Sequence, residues 1–206
     1  MRALIRDVQP DVVLDVGANV GGFAATIRRL GYVGPIISFE PSPGVAAALE
    51  QRAADDPLWK VLRLALGDRD EVRELRLADD PLHNSFLDYL RDVRVHGTEP
   101  VEVARLDKIM DDAAMHARAA VLKIDTQGWD MRVLAGAEGV LDRIVVVQVE
   151  LAFQPLYEGE TGDWLAMVGW LRDREFELVS LFPNHWKDGV LAEADGLFRR
   201  KASSSG

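Results

Sequence analysis

Short, uninterrupted apolar runs rich in β-branched residues recur along this 206-residue chain, and longer stretches with helical spacing lie between them. The runs Asp11–Val16, Ile36–Glu40, Lys60–Leu66, Ala120–Asp125, Arg143–Leu151, Phe176–Phe182 and Leu197–Lys201 read as strands. A strand with no polar alternation is buried on both faces, as happens where helices cover a parallel sheet on each side. Helices are expected over Phe23–Leu30, Val45–Ala54, Asp130–Val140 and Trp164–Arg174. The pattern predicts an α/β, doubly wound, mostly parallel seven-stranded sheet.

Residues 68–112 break this rhythm. Val72–Leu77 and Pro100–Ala104 read as shorter strands with charged faces, and Ser85–Val93 and Leu106–Ala114 as helices. The stretch reads as a small insertion between the third and fourth strands, packed on the sheet within one domain over residues 1–201. Ala202–Gly206 reads as a flexible tail.

Composition narrows the function. Lys and Arg number 24 and Asp and Glu 34, for a net charge of −10. A nucleic-acid backbone binder needs a basic footprint, so nucleic acid is not an expected partner. The chain has no cysteine, which excludes disulfides, iron–sulfur clusters and a thiol nucleophile. Arg2, Arg6 and Asp7 interrupt the first ten residues, and no run of about 20 apolar residues occurs, so the expectation is a cytoplasmic protein with no membrane partner.

Ligands of open parallel sheets bind beyond the carboxyl ends of the strands. Here those ends carry Asp15, Glu40, Asp68, Asp125 and Glu150. The first turn reads Asp15-Val16-Gly17-Ala18-Asn19-Val20-Gly21-Gly22. Its Gly-x-x-x-Gly-Gly spacing is not the Gly-x-Gly-x-x-Gly of a dinucleotide site, and Asp15 would repel a pyrophosphate. The same carboxylate suits an ammonium group. Glu40 stands where a carboxylate accepts both hydroxyls of a ribose. The expected ligand is nucleoside-like, without phosphates, and carries a cationic tail. The alternatives are a tight turn with no ligand and, for Glu40, a charge at a helix N-terminus.

These residues resemble the Rossmann-like, class I S-adenosylmethionine-dependent methyltransferases, and more narrowly the FkbM family. The likeness runs through Asp15–Gly21, Phe39-Glu40-Pro41, Leu106-Asp107, Leu122–Asp130 with its Lys-Ile-Asp-Thr-Gln-Gly-Trp-Asp core, Val133–Ala137 and Asp195–Phe198. One departure is Gln127, where the family often has Glu, which puts an acid role at this position in doubt. The resemblance implies a seven-stranded sheet with an antiparallel last strand, and S-adenosylmethionine as cofactor with S-adenosylhomocysteine as product. It implies that Asp15, Gly17, Ala18, Asn19 and Gly21 hold the amino-acid end, with Asp125 nearby. Glu40 would bind the ribose, Leu66 and Gly67 would flank the adenine, and Ser85 would lie close by. A helix N-cap is the competing role for Ser85.

Methyl transfer to a hydroxyl needs alignment and removal of a proton. The candidate catalytic residues are Asp125, Glu150 and His185. Two close carboxylates repel, so Asp125 and Glu150 form either a base pair or half of a Mg²⁺ site. His185, expected in a loop of residues 183–186 after the sixth strand, has the intrinsic range of a general base. Their competing roles are a helix-capping acid, an ion pair of Glu150 with Lys123 or an arginine, and an exposed loop histidine. His83 and Trp186 are candidates for binding the acceptor. His96 and His116 read as surface residues, and Trp164 and Trp170 as core. The expected activity is O-methylation of a small molecule, a sugar or glycosylated metabolite being preferred, with a homodimer compatible. The rivals are a non-catalytic S-adenosylmethionine-binding module and N-methylation. An NAD-dependent dehydrogenase is opposed by the turn spacing.

Overall fold

The structure is a computed structural model and describes residues 2–90, 92–112, 117–158 and 163–202, with the side chains of Asp111 and Asp112 outside that set. His116 and the tail beyond residue 202 lie outside the described residues.

Helix α1 (Arg2–Val8) precedes β1 (Val12–Val16), followed by α2 (Gly22–Arg29), β2 (Ile36–Phe39), α3 (Pro43–Ala53) and β3 (Trp59–Leu62). Next come β4 (Ala65–Leu66), β5 (Glu71–Ala78), β6 (Asp88–Tyr89), β7 (Val95–Ala104) and α4 (Leu106–Asp112). The chain continues through β8 (Ala120–Ile124), α5 (Asp130–Gly136), β9 (Ile144–Ala152), β10 (Tyr157–Glu158), α6 (Trp164–Asp173), β11 (Phe176–Lys187) and β12 (Val190–Arg200).

Seven strands form one sheet in the order β11-β12-β9-β8-β1-β2-β3. β3, β2, β1, β8 and β9 are parallel, and β12 runs antiparallel to both neighbours. This is the expected Rossmann-like architecture. β1 and β8 are buried along their whole length, as continuous apolar runs require. One apolar cluster, with Leu14, Leu122, Val133, Leu134 and Met167, lies under α4, α5 and α6. A second, with Val13, Ile27, Ile36, Leu49 and Val121, lies under α1, α2 and α3.

Several boundaries differ from expectation, each for a local reason. The third strand ends at Leu62, and Ala65–Leu66 pairs instead with β7 in a three-stranded sheet of order β4-β7-β5. The described residues of the expected helix, 85–90 and 92–93, are not helical. Ser85 bridges Arg76, and the Arg76 guanidinium holds the Phe86 carbonyl at 3.2 Å and Asp88 at 2.8 Å, which keeps the segment extended. Pro183, Asn184, His185 and Trp186 are not in a loop. They lie in β11, because the chain reverses later, at Asp188-Gly189. Both turn residues have positive φ, 51° and 78°, as a two-residue type I′ hairpin demands. Helix α1 was not expected, and it docks through Ile5. Among the described residues no helix is long and apolar enough to cross a membrane.

The turn between β8 and α5 is closed by the buried Asp130, whose carboxylate accepts from the Thr126 amide at 3.1 Å and the Gly128 amide at 3.2 Å. Burial first, then the charge of Asp125, pushes Asp130 up to about 6. An acid raised in the folded state stabilises below its unfolded value and loses that contribution as pH rises through the folded one. Asp130→Asn should therefore gain on the wild type between pH 4 and pH 7, by up to about 3 kcal/mol at about 1.4 kcal/mol per unit. Paired urea melts across that range measure it, and a pH-independent difference would refute the assignment.

Two glycines should respond with opposite sign. Gly189→Ala, at φ +78°, should cost about 1–2 kcal/mol. Gly169→Ala, inside α6 with nothing within 4 Å of the added carbon, should gain about 0.5–1 kcal/mol. Urea unfolding of both variants checks the pair.

Candidate functional site

Strand register builds the site. In the sheet, Ser38 lies opposite Asp15, Asp15 opposite Lys123, and Lys123 opposite Gln148. This polar row crosses four strands on the face that α1, α2 and α3 cover. Side chains two residues on share that face, so the next row, at the carboxyl ends, holds Glu40, Asp125 and Glu150. Glu150 in turn lies opposite Asp195 of β12. The strand-end acids read from the sequence thus form one edge, and Asp195 joins them.

Lys123 anchors the first row. Its ammonium is buried, 3.4 Å from Asp15 Oδ1, 3.4 Å from Asp125 Oδ2 and 3.2 Å from the Gly17 carbonyl. Burial alone would lower its pKa, but Asp125 and Asp15 outweigh that and hold it above the usual lysine value. The other Asp15 oxygen accepts from the Ser38 hydroxyl at 3.4 Å, and Ser38 accepts from the Trp59 indole at 2.9 Å. Asp15 is fully buried, and desolvation raises its pKa despite Lys123. Asp15 does not line the cleft described below. Its carboxylate is engaged behind the wall, and the acid nearest Lys123 that faces open space is Asp125.

The turn after β1 is shaped by contact with β8. Gly17 has φ +70°, and a β-carbon there would sit 1.9 Å from the Asp125 carbonyl oxygen, so only glycine fits. The turn brings the Asn19 amide to Glu40 Oε2 at 2.8 Å, and the Ser42 amide donates to Oε1 at 3.0 Å. Two fixed donors orient Glu40 and leave lone pairs on both oxygens. Burial is the main cause of its raised pKa.

A cleft open to solvent lies over these elements. Gly17, Asn19 and Glu40 line one side, Leu66, Leu75, Pro81 and Phe86 form an apolar wall, and Ser85, Asp125, Thr126 and Gln127 close the other. Such a space suits a flat apolar ring joined to a diol, with a cation at the Asp125 end. Of the expected ligand-binding residues, Gly17, Asn19, Glu40, Leu66, Ser85 and Asp125 line it. Ala18 is buried in the core, and Gly21 precedes α2. Gly67 packs against Val103 and Trp129. Ser85 is not a helix cap, since no helix follows it; its hydroxyl donates to the Gln127 carbonyl at 2.8 Å and accepts from the Leu87 amide at 3.0 Å.

The acid edge continues beside the cleft. A smaller hollow joins Glu150 to Asp130, Met131, Tyr157 and Trp164. Burial, then the charges of Asp125, Glu193, Asp130 and Asp195, raises Glu150 well above the carboxylate range. Lys123 pairs with Asp15 and Asp125, leaving Glu150 without the expected lysine partner. His185 lies on β11 opposite Glu193, and Trp186 beside it is exposed, so neither lines the cleft. His83 is also outside it, with its ring edge-on to Tyr89 at 6.0 Å. Trp164 and Trp170 pack against the main apolar cluster, as expected of core residues. Among the described residues no group of three or more His, Cys, Asp or Glu is arranged to hold a metal ion. Asp125 and Glu150 alone do not make a Mg²⁺ donor set.

Sequence reasoning missed Lys123, Ser38, Tyr89 and Tyr157 as parts of this site. For Lys123 a signal existed, since it lies two residues before Asp125 on a strand and shares its face.

Comparison with known proteins gives the same fold and a family. The Methyltransferase FkbM domain family matches residues 15–178. The 2-O-methyltransferase NoeI of Sinorhizobium fredii (strain NBRC 101917 / NGR234) is 27% identical over 197 residues, covering 89% of this chain and 79% of that protein. Among solved structures, magnesium protoporphyrin IX methyltransferase (ChlM) from Synechocystis PCC 6803 with bound SAM superposes with a TM-score of 0.53 and 9% identity, over 97% of this chain and 74% of that one. An rRNA methylase from Streptococcus thermophilus gives 0.52 at 12% identity, over 98% and 94%. At such identities these two show the fold. The family match covers most of the chain, and it carries the motifs that build the cleft: this chain belongs to the FkbM family of S-adenosylmethionine-dependent methyltransferases.

Proposed function

We propose that the chain methylates a hydroxyl of a small, polyhydroxylated acceptor such as a sugar or glycosylated metabolite. The observation that carries this reading is the placement of Glu40 and Asp125 on one cleft, with the acid edge of Glu150 and Asp195 continuing beyond it. The relative NoeI is named a 2-O-methyltransferase, which supports a hydroxyl as the methylated atom.

The cleft's donor set fits S-adenosylmethionine. Glu40, held by two amides, has acceptor capacity for a ribose diol, and Leu66, Leu75 and Phe86 offer an adenine a flat apolar surface. Asp125 stands at the end where the cationic part belongs. When bound, the cofactor supplies an electrophilic methyl group on a sulfonium. An alcohol is poorly nucleophilic until its proton is taken, so a group must accept that proton at the oxygen. Asp125 does this in our reading. Its carboxylate is 40% exposed, lines the cleft and is held by Lys123 from behind. Glu150, with its raised pKa, retains a proton more readily and donates to a neighbouring acceptor hydroxyl. Carboxylates in a row are a common way to bind adjacent hydroxyls, because each oxygen accepts more than one hydrogen bond.

Calorimetric titration with S-adenosylhomocysteine tests the cofactor site. Glu40→Gln should weaken binding about tenfold or more, the worth of charged hydrogen bonds. Turnover with S-adenosylmethionine and a panel of methyl glycosides tests the rest. Asp125→Asn should lower kcat at saturating cofactor by about 10²–10⁴-fold, beyond any weakening of S-adenosylhomocysteine binding. Methylation of amines but of no hydroxyl acceptor would overturn the O-methyl reading.

A further inference from the structure

The side chain beside Asp125 is an amide, and its environment fixes which end faces the acid. Gln127 Nε2 donates to Asp125 Oδ1 at 3.0 Å. Gln127 Oε1 accepts from the Tyr157 hydroxyl at 2.7 Å and lies 3.3 Å from the Tyr89 hydroxyl, which donates to the His83 carbonyl at 3.0 Å. Turning the amide over would set its oxygen against a carboxylate, so the network allows one orientation. The two tyrosines are cross-strand partners in the β6–β10 pair, with ring centroids 4.7 Å apart. Burial first, then Tyr89, pushes Tyr157 upward, so its hydroxyl stays a donor. The Gln127 backbone, at φ 52°, is held by the Ser85 hydroxyl on its carbonyl.

The Asp125 carboxylate is thus gripped at both oxygens, Oδ1 by Gln127 and Oδ2 by Lys123. The charged groups around it are Lys123 on its own strand, Asp15 from β1, Asp130 from α5, Glu150 from β9 and Asp195 from β12. Four acids face one cation. A neutral donor in this place orients the carboxylate without adding a fifth acid.

We propose that Gln127 is a positioning residue for methyl transfer, holding the Asp125 carboxylate in the orientation the acceptor hydroxyl requires. This rests on the reading of Asp125 as proton acceptor. Glutamate at 127 would set a second carboxylate at hydrogen-bond distance, and the pair would then have to share a proton.

The test uses the full chain and the Asp125→Asn, Gln127→Glu and Tyr157→Phe variants. Two quantities are read: S-adenosylhomocysteine affinity and the pH profile of turnover on methyl glycosides. In Q127E, S-adenosylhomocysteine should still bind, and the acid limb of turnover should move to higher pH. Y157F frees one end of the amide and should lower kcat more than it changes KM. An unchanged pH profile in a Q127E variant that still binds S-adenosylhomocysteine would overturn the proposal. Undiminished turnover in D125N would instead overturn the reading beneath it.

Discussion

A buried ammonium holds this site together. Lys123 touches Asp15, Asp125 and the Gly17 carbonyl, so one side chain joins the end of β1, the glycine turn and the end of β8. Removing one partner of a buried pair typically costs about 3–5 kcal/mol, because the other charge is stranded. Lys123 is also the counter-charge to Asp125, 3.4 Å from its Oδ2, among the surrounding acids. Its role is therefore structural and electrostatic at once.

Register explains how the acids come together. Side chains on parallel strands align in rows, and a row's chemistry is set by residues far apart in sequence. Ser38, Asp15, Lys123 and Gln148 make one row, and the acids two residues further on make the next. In the first row Ser38, Asp15 and Lys123 are paired and buried and serve as a foundation. In the second, Glu40 and Asp125 line the cleft, and Glu150 lies in the hollow beside it. A slip of one residue in β8 would turn Lys123 and Asp125 to the opposite face and disperse both rows.

Much of this was legible in the sequence. Continuous apolar runs announced the parallel sheet, and the turn from Asp15 with Glu40 and Asp125 at strand ends marked the cleft. What was not legible depends on pairing. Asp15 reads as a ligand for a cation, and it is one, but the cation is Lys123. Gly67 sits at a strand end as an adenine neighbour would, yet it packs on Trp129. The extended 85–88 segment depends on Arg76, which no local propensity reveals. The hairpin of β11 and β12 is different, because Asp188-Gly189, between Lys187 and Val190, is a strong turn signal. Reading residues 183–186 as a loop placed His185 and Trp186 over the site, whereas the strand carries them away from it.

The acid edge also accounts for the unevenness of the fold. Burial and mutual repulsion raise Glu150, Asp195 and Asp130 together, a cost that an arrangement selected for stability alone would avoid. Elsewhere the chain follows local rules closely: apolar strands under helices, a Pro at the start of α3, and a side-chain cap on α6 from Asp163. Departures from local rules gather where a protein has work to do. Around Asp125 three such departures meet: Gly17 in the left-handed region beneath it, Gln127 also left-handed beside it, and acids raised by burial and mutual repulsion beyond it. Local consistency over most of the chain is what lets this one edge be unfavourable.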